Sequence, residues 1–153
     1  MKKILLLLSL FLTTFILGEG KYMIDNLEDE KAQWNMFGDD VMGGLSKGKL
    51  SELKDNEVSF YRLEGNVSTA NNGGFIQFRT NLDLQGKSYE GIKIKVRGNN
   101  NKYYIHVRTT ATVFPWDYYD ISFEATGEWK QVSLPFSDFK KSRRFLPTKL
   151  NSS

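Results

Sequence analysis

Cysteine is absent from all 153 residues, and histidine occurs once, at His106. The first absence excludes disulfides, thiol nucleophiles, thiolate metal sites and the cysteine to which a lipoprotein anchor attaches, so stability must come from an apolar core. The second excludes a metal centre built from several histidines. A phosphate-cradling Gly-x-x-x-x-Gly-Lys-Ser/Thr loop is also missing. The formal charge is only +3, to which Lys2 and Lys3 contribute, and a chain this close to neutral gives no support for broad electrostatic binding of nucleic acid. No metal and no cofactor is expected.

What is present begins with Lys2 and Lys3 ahead of the apolar run Ile4 to Leu17, broken only by Ser9, Thr13 and Thr14. A charged start and an apolar middle shorter than the roughly 20 residues of a membrane-spanning helix is the layout of a secretory leader. Gly18 and Gly20 put small residues where a signal peptidase reads, which places cleavage before Lys21. Residues 1–20 are therefore expected to be a signal peptide, with an uncleaved anchor as the alternative. Residues 21–153 are enough for a single domain with its own core, with no membrane span in the mature chain. The expected location is secreted or cell envelope, that is, periplasmic or extracellular.

Beyond the leader no long helical period is found. Glu57 to Glu64, Gly74 to Asn81, Tyr89 to Arg97, Lys102 to Thr110, Tyr118 to Glu124 and Trp129 to Leu134 read as strands, most of them rich in β-branched and aromatic residues. Strands without intervening helices predict an all-β, antiparallel β-sandwich or jelly roll. Alternation turns Ile92, Ile94 and Val96 inward and leaves Lys93, Lys95 and Arg97 as a basic stripe in water, which also discourages edge pairing.

Two glycine turns punctuate the chain. Asp39-Asp40-Val41-Met42-Gly43-Gly44-Leu45-Ser46 and Asn71-Asn72-Gly73-Gly74-Phe75 each place paired glycines where the backbone needs positive φ or close approach. Acidic side chains ahead of such a turn point to hydrogen bonds with nearby amides rather than to a cation site. Trp34, just upstream, reads as a core plug because of its large apolar area.

The candidate binding residues come from strand alternation. Tyr103, Ile105 and Val107 fall on one face, and Tyr104, His106 and Arg108 on the other. An aromatic ring, an imidazole and a guanidinium together suit a polar ligand groove. Gln77 and Arg79 alternate on the strand after the second glycine turn, while Trp116, Tyr118 and Asp120 are positioned to extend the patch if the strands share a sheet. The alternative is a loop-covered face in which Arg79 pairs with Asp120 and His106 is merely hydrogen-bonded.

Trp34, Asp39, Val41-Met42-Gly43-Gly44, Ser46 and the Asn72-Gly73-Gly74-Phe75 stretch running to Arg79, with Gly127-Glu128-Trp129 and Leu134-Pro135-Phe136-Ser137-Asp138-Phe139 later, resemble the complex I intermediate-associated protein family. The resemblance covers residues 34–139. It implies a galactose-binding-like jelly roll and a non-catalytic binding or assembly module acting through protein–protein interaction. The chain after Phe139 departs from the family's continuation, so a jelly roll missing its closing C-terminal strand is expected. The expected partner is a protein or a glycan. A secreted carbohydrate-binding domain, using the face around Arg79, Tyr104, His106 and Arg108, is the alternative. No enzyme is expected; a glycan-active hydrolase drawing on Asp117, Asp120 and Glu124 is the remaining possibility.

Overall fold

The computed structural model describes residues 2–16, 21–84, 88–148 and 150, with the backbone path alone for 2–16 and 21. In chain order the strands are β1 (Lys2–Ile16), β2 (Lys21–Met23), β3 (Asn35–Gly38), β4 (Lys47–Asp55), β5 (Val58–Val67), β6 (Ile76–Arg79), β7 (Gly91–Arg97), β8 (Asn101–Val107), β9 (Tyr119–Ala125), β10 (Lys130–Pro135) and β11 (Lys140–Lys141). Among the described residues the helical content is three short 3-10 turns, Asp39–Met42, Ala70–Asn72 and Phe136–Asp138. All strand pairs are antiparallel, giving the all-β fold expected from the sequence.

The largest sheet runs β10-β7-β1-β5-β4, with β2 paired to β1; β11-β9-β8 form a second sheet and β3-β6 a third. Ile92, Ile94 and Val96 of β7, Tyr61 and Leu63 of β5 and Leu134 of β10 pack into one core with Tyr119, Phe123 and Ala125 of β9. That packing joins the first two sheets as a sandwich. Each Ile, Leu, Val or Phe side chain so withdrawn from water stabilises the fold by about 2 kcal/mol.

The chain passes from one layer to the other at Gly98 and returns after Ala125. The N–H groups of Gly98 and Asn100 donate to the carbonyls of Thr126 and Ala125, at 2.6 and 2.8 Å, which fixes both crossings. The basic stripe differs from expectation in one respect. β7 lies between β10 and β1, so Lys93, Lys95 and Arg97 do not guard an edge, and the Arg97 guanidinium lies 4.8 Å over the Trp129 ring.

The leader-like segment supplies β1, which pairs with β5 from Lys2↔Val67 to Leu8↔Tyr61. The expected cleavage point after Gly20 lies outside the described residues. Downstream, residues 24–34 are tied down by Asp25, which is buried and accepts hydrogen bonds from the Leu27 and Ala32 N–H groups at 2.8 and 2.9 Å and from Trp34 Nε1 at 2.8 Å. Trp34 meets Phe78 edge-on at 5.1 Å and so plugs the core between this segment and β6.

Candidate functional site

The two glycine turns meet at one side chain. Asp39, buried at the start of its 3-10 turn, accepts the Ser46 N–H on Oδ1 at 2.9 Å. Its Oδ2 accepts the Ser46 hydroxyl and the N–H groups of Gly74 at 2.6 Å and Phe75 at 3.3 Å. Ser46 Oγ in turn accepts the Ser68 N–H at 3.0 Å. The Ser46 hydroxyl, and after it these N–H groups, hold the Asp39 carboxyl down at about 2, with burial acting in the opposite direction.

The glycines have two separate jobs here. Gly43 sits at φ +83° and Gly74 at φ +143°, conformations that side chains rarely adopt. Gly44 and Gly73 instead make room: a Cβ would lie 2.3 Å from Asp39 Cγ in the first case and 2.4 Å from Asp39 Oδ2 in the second. Asn72, at φ +58°, leads into the second turn, and Phe75 leaves it to stack edge-on with Phe37 at 6.3 Å.

Three neighbouring residues do none of this work. Val41, Met42 and Leu45 are exposed at 69%, 65% and 55%, although they sit on the turn tied down by Asp39. The segment Gly44-Leu45-Ser46-Lys47-Gly48 has the Gly-x-Ser-x-Gly spacing of a nucleophile elbow, but it is not built as one. Ser46 is buried, its hydroxyl is committed to Asp39 and Ser68, and it leads into a strand rather than a helix.

On β8 and β9 the structure brings together part of the expected polar patch. His106 faces Asp120 across the strand pair and stacks on Tyr118, with ring centroids 4.2 Å apart and planes 15° from parallel. Desolvation holds the imidazole below its ordinary value, with the Asp120 charge acting against it. Tyr104 stands outward beside them, 58% exposed. Arg108 closes the following loop: its Nη2 donates to the carbonyls of Thr112 and Phe114 at 3.1 and 2.9 Å, so its guanidinium is occupied in holding residues 108–114.

That loop carries a second set of rings. Trp116, 56% exposed, stacks on Phe114 at 5.4 Å with planes 5° apart. Arg143 lies over both Trp116, at 5.9 Å, and Phe145, at 5.2 Å. Its Nη1 is 4.0 Å from the buried Asp117 carboxylate, whose other oxygen accepts the Phe114 N–H at 3.1 Å. Ser142 stitches the late segment to the loop, accepting the Tyr118 N–H and donating to the Trp116 carbonyl. Phe114, Arg143 and Phe145 were not expected from the sequence; the pairing of β11 with β9 and the Ser142 hydrogen bonds return residues 140–146 to the loop at 112–118.

Gln77 and Arg79 do not join this patch. They lie on β6, which pairs with β3 in a separate sheet, and the Arg79 guanidinium lies 4.8 Å over Phe37 rather than beside Asp120. A cleft of about 390 Å³ opens elsewhere, between Tyr22 to Asn35 and Thr80 to Asp83. Among the described residues no group of three or more acidic or imidazole side chains is placed to hold a metal ion, and no helix is long and apolar enough to cross a membrane.

A model of the complex I intermediate-associated protein 30 family matches residues 24–151. The chain belongs to that family. The family match takes in Asp25 and the segment after Phe139, and so extends past the stretch from Trp34 to Phe139 at both ends. No curated protein and no solved structure matches the chain.

Proposed function

We propose that this member of the complex I intermediate-associated protein 30 family is a non-catalytic assembly module that acts by protein–protein contact. The observation that carries the proposal is the exposed trio Val41, Met42 and Leu45 on the Asp39-tied turn. A turn held by buried hydrogen bonds presents these side chains with little ordering left to do on binding, and an apolar centre flanked by the exposed charges of Asp40 and Lys47 has the make-up of a docking patch. The apolar run behind Lys2 and Lys3 supports a secreted or cell-envelope location for this role. The test is co-migration of the tagged full chain with respiratory-complex intermediates on native gels of its own cells' membranes, with Val41→Asp/Met42→Asp as the comparison. Association that this variant loses supports the proposal. Migration as a free chain in both forms refutes it.

A second reading is favoured by the rings on β8 and on the loop before β9. Tyr104, exposed on the β8 face that carries His106, and the stacked pair Phe114 and Trp116 on the loop offer flat apolar faces of the kind on which sugars stack. It predicts retention on immobilised polysaccharide that Tyr104→Ala weakens; absence of retention by folded protein rejects it.

A further inference from the structure

β5 and β7 are parallel to each other and separated by one strand width, because β1 lies between them antiparallel to both. Both walls of this slot belong to the core: Tyr61 and Leu63 are buried on β5, and Ile92, Ile94 and Val96 on β7. Without a strand between them the large sheet would divide into β4-β5 and β7-β10, leaving two inner edges of unpaired N–H and C=O groups. Each buried group of that kind costs about 1–3 kcal/mol when it has no partner. The slot must therefore be filled.

The present occupant fits one wall better than the other. Against β5 the register is continuous from Lys2 to Leu8. Against β7 it breaks between Ser9, opposite Lys95, and Thr14, opposite Lys93. Five steps along β1 thus meet two along β7, whereas a strand shaped for the slot would keep step on both sides. What β1 brings is composition: an extended, mostly apolar run without a charge after Lys3.

We infer that the place between β5 and β7 is a strand-acceptor slot, which Lys2–Ile16 fills as an exchangeable occupant and which takes an extended apolar segment of another polypeptide, of leader or membrane-span composition. Main-chain hydrogen bonds to both walls supply the attraction, and the core beneath selects apolar side chains at alternate positions. The inference goes beyond the docking trio and does not rest on it, since Val41, Met42 and Leu45 lie outside this sheet.

The test uses the full chain carrying Leu5→Pro and Leu7→Pro, which removes two N–H donors from a central strand. Melting is followed with and without a synthetic peptide of residues 2–16. The expected result is loss of the wild-type cooperative transition and its return with the peptide. A variant that melts like wild type without peptide, or that stays unfolded in peptide excess, overturns the inference. If the variant cannot be recovered, wild-type chain is refolded with the labelled peptide: label in the monomer supports the slot. No incorporation, or a strand-exchanged dimer seen by light scattering, overturns it, the dimer by giving the slot to a second copy.

Discussion

The Asp39 carboxylate accepts the backbone N–H of Gly74 at 2.6 Å, across 35 positions of chain. Through it, and through the bonds to Ser46 and Phe75, two turns distant in sequence become one rigid unit. Asp39→Ala would leave the buried Ser46 N–H and the part-buried N–H groups of Gly74 and Phe75 without their acceptor. It is expected to lower the melting temperature clearly, while Asp40→Ala, at the exposed neighbour, leaves it within error. Equal melting of the two variants would remove Asp39 from its structural role.

The glycines around that carboxylate separate by mechanism. Gly44→Ala and Gly73→Ala each drive a methyl into Asp39 and are expected to cost about 1–3 kcal/mol in urea unfolding. Gly43→Ala meets no atom and should lose only the roughly 1 kcal/mol of a left-handed residue. Gly127→Ala, with open space and no positive φ, should be neutral.

Asp39 also sets an acid limit. Its carboxyl is held at about 2, below its ordinary 3.8, so the stability it contributes is fully present above the ordinary value and is lost as pH falls through the folded-state one. Melting temperature should therefore drop between pH about 4 and about 2, and the drop should be shallower in Asp39→Asn. An identical acid profile in that variant would show that other groups govern the transition.

The β4-β5 hairpin offers a stabilising change. Its two-residue turn places Asn56 at φ +45° and Glu57 at φ +69°, and an Asn-Gly pair suits such a turn best. Glu57→Gly is expected to stabilise the protein by up to about 1 kcal/mol in denaturant unfolding. A loss of stability would mean that the Glu57 side chain contributes more than its backbone costs.

Strands rich in β-branched and aromatic residues were legible in the sequence, and β7 shows why: Ile92, Ile94 and Val96 alternate with charged residues and are buried as that alternation requires. β4 was not legible, because Lys47–Asp55 is an edge strand with only Leu50 and Leu53 for apolar content. Alternation also says which face a side chain takes but not which sheet its strand joins, so Gln77 and Arg79 could be drawn toward His106 on paper although β6 lies in another sheet. The role of Arg108 was hidden for a similar reason. Its donors reach carbonyls at residues 112 and 114 only once the loop has closed. Asp25 left little trace, since a carboxylate among the acidic residues of 25–30 looks solvated until Trp34 and Tyr61 turn toward it.

The most direct measurement of the proposed assembly role compares three full-length forms on native gels of the source membranes: wild type, Val41→Asp/Met42→Asp and Tyr104→Ala/Trp116→Ala. Both variants change only exposed side chains, so all three forms should melt alike. Co-migration with a respiratory-complex intermediate is predicted for wild type and the ring variant, and its loss for Val41→Asp/Met42→Asp. Full co-migration of that variant, or loss in the ring variant alone, would contradict the account.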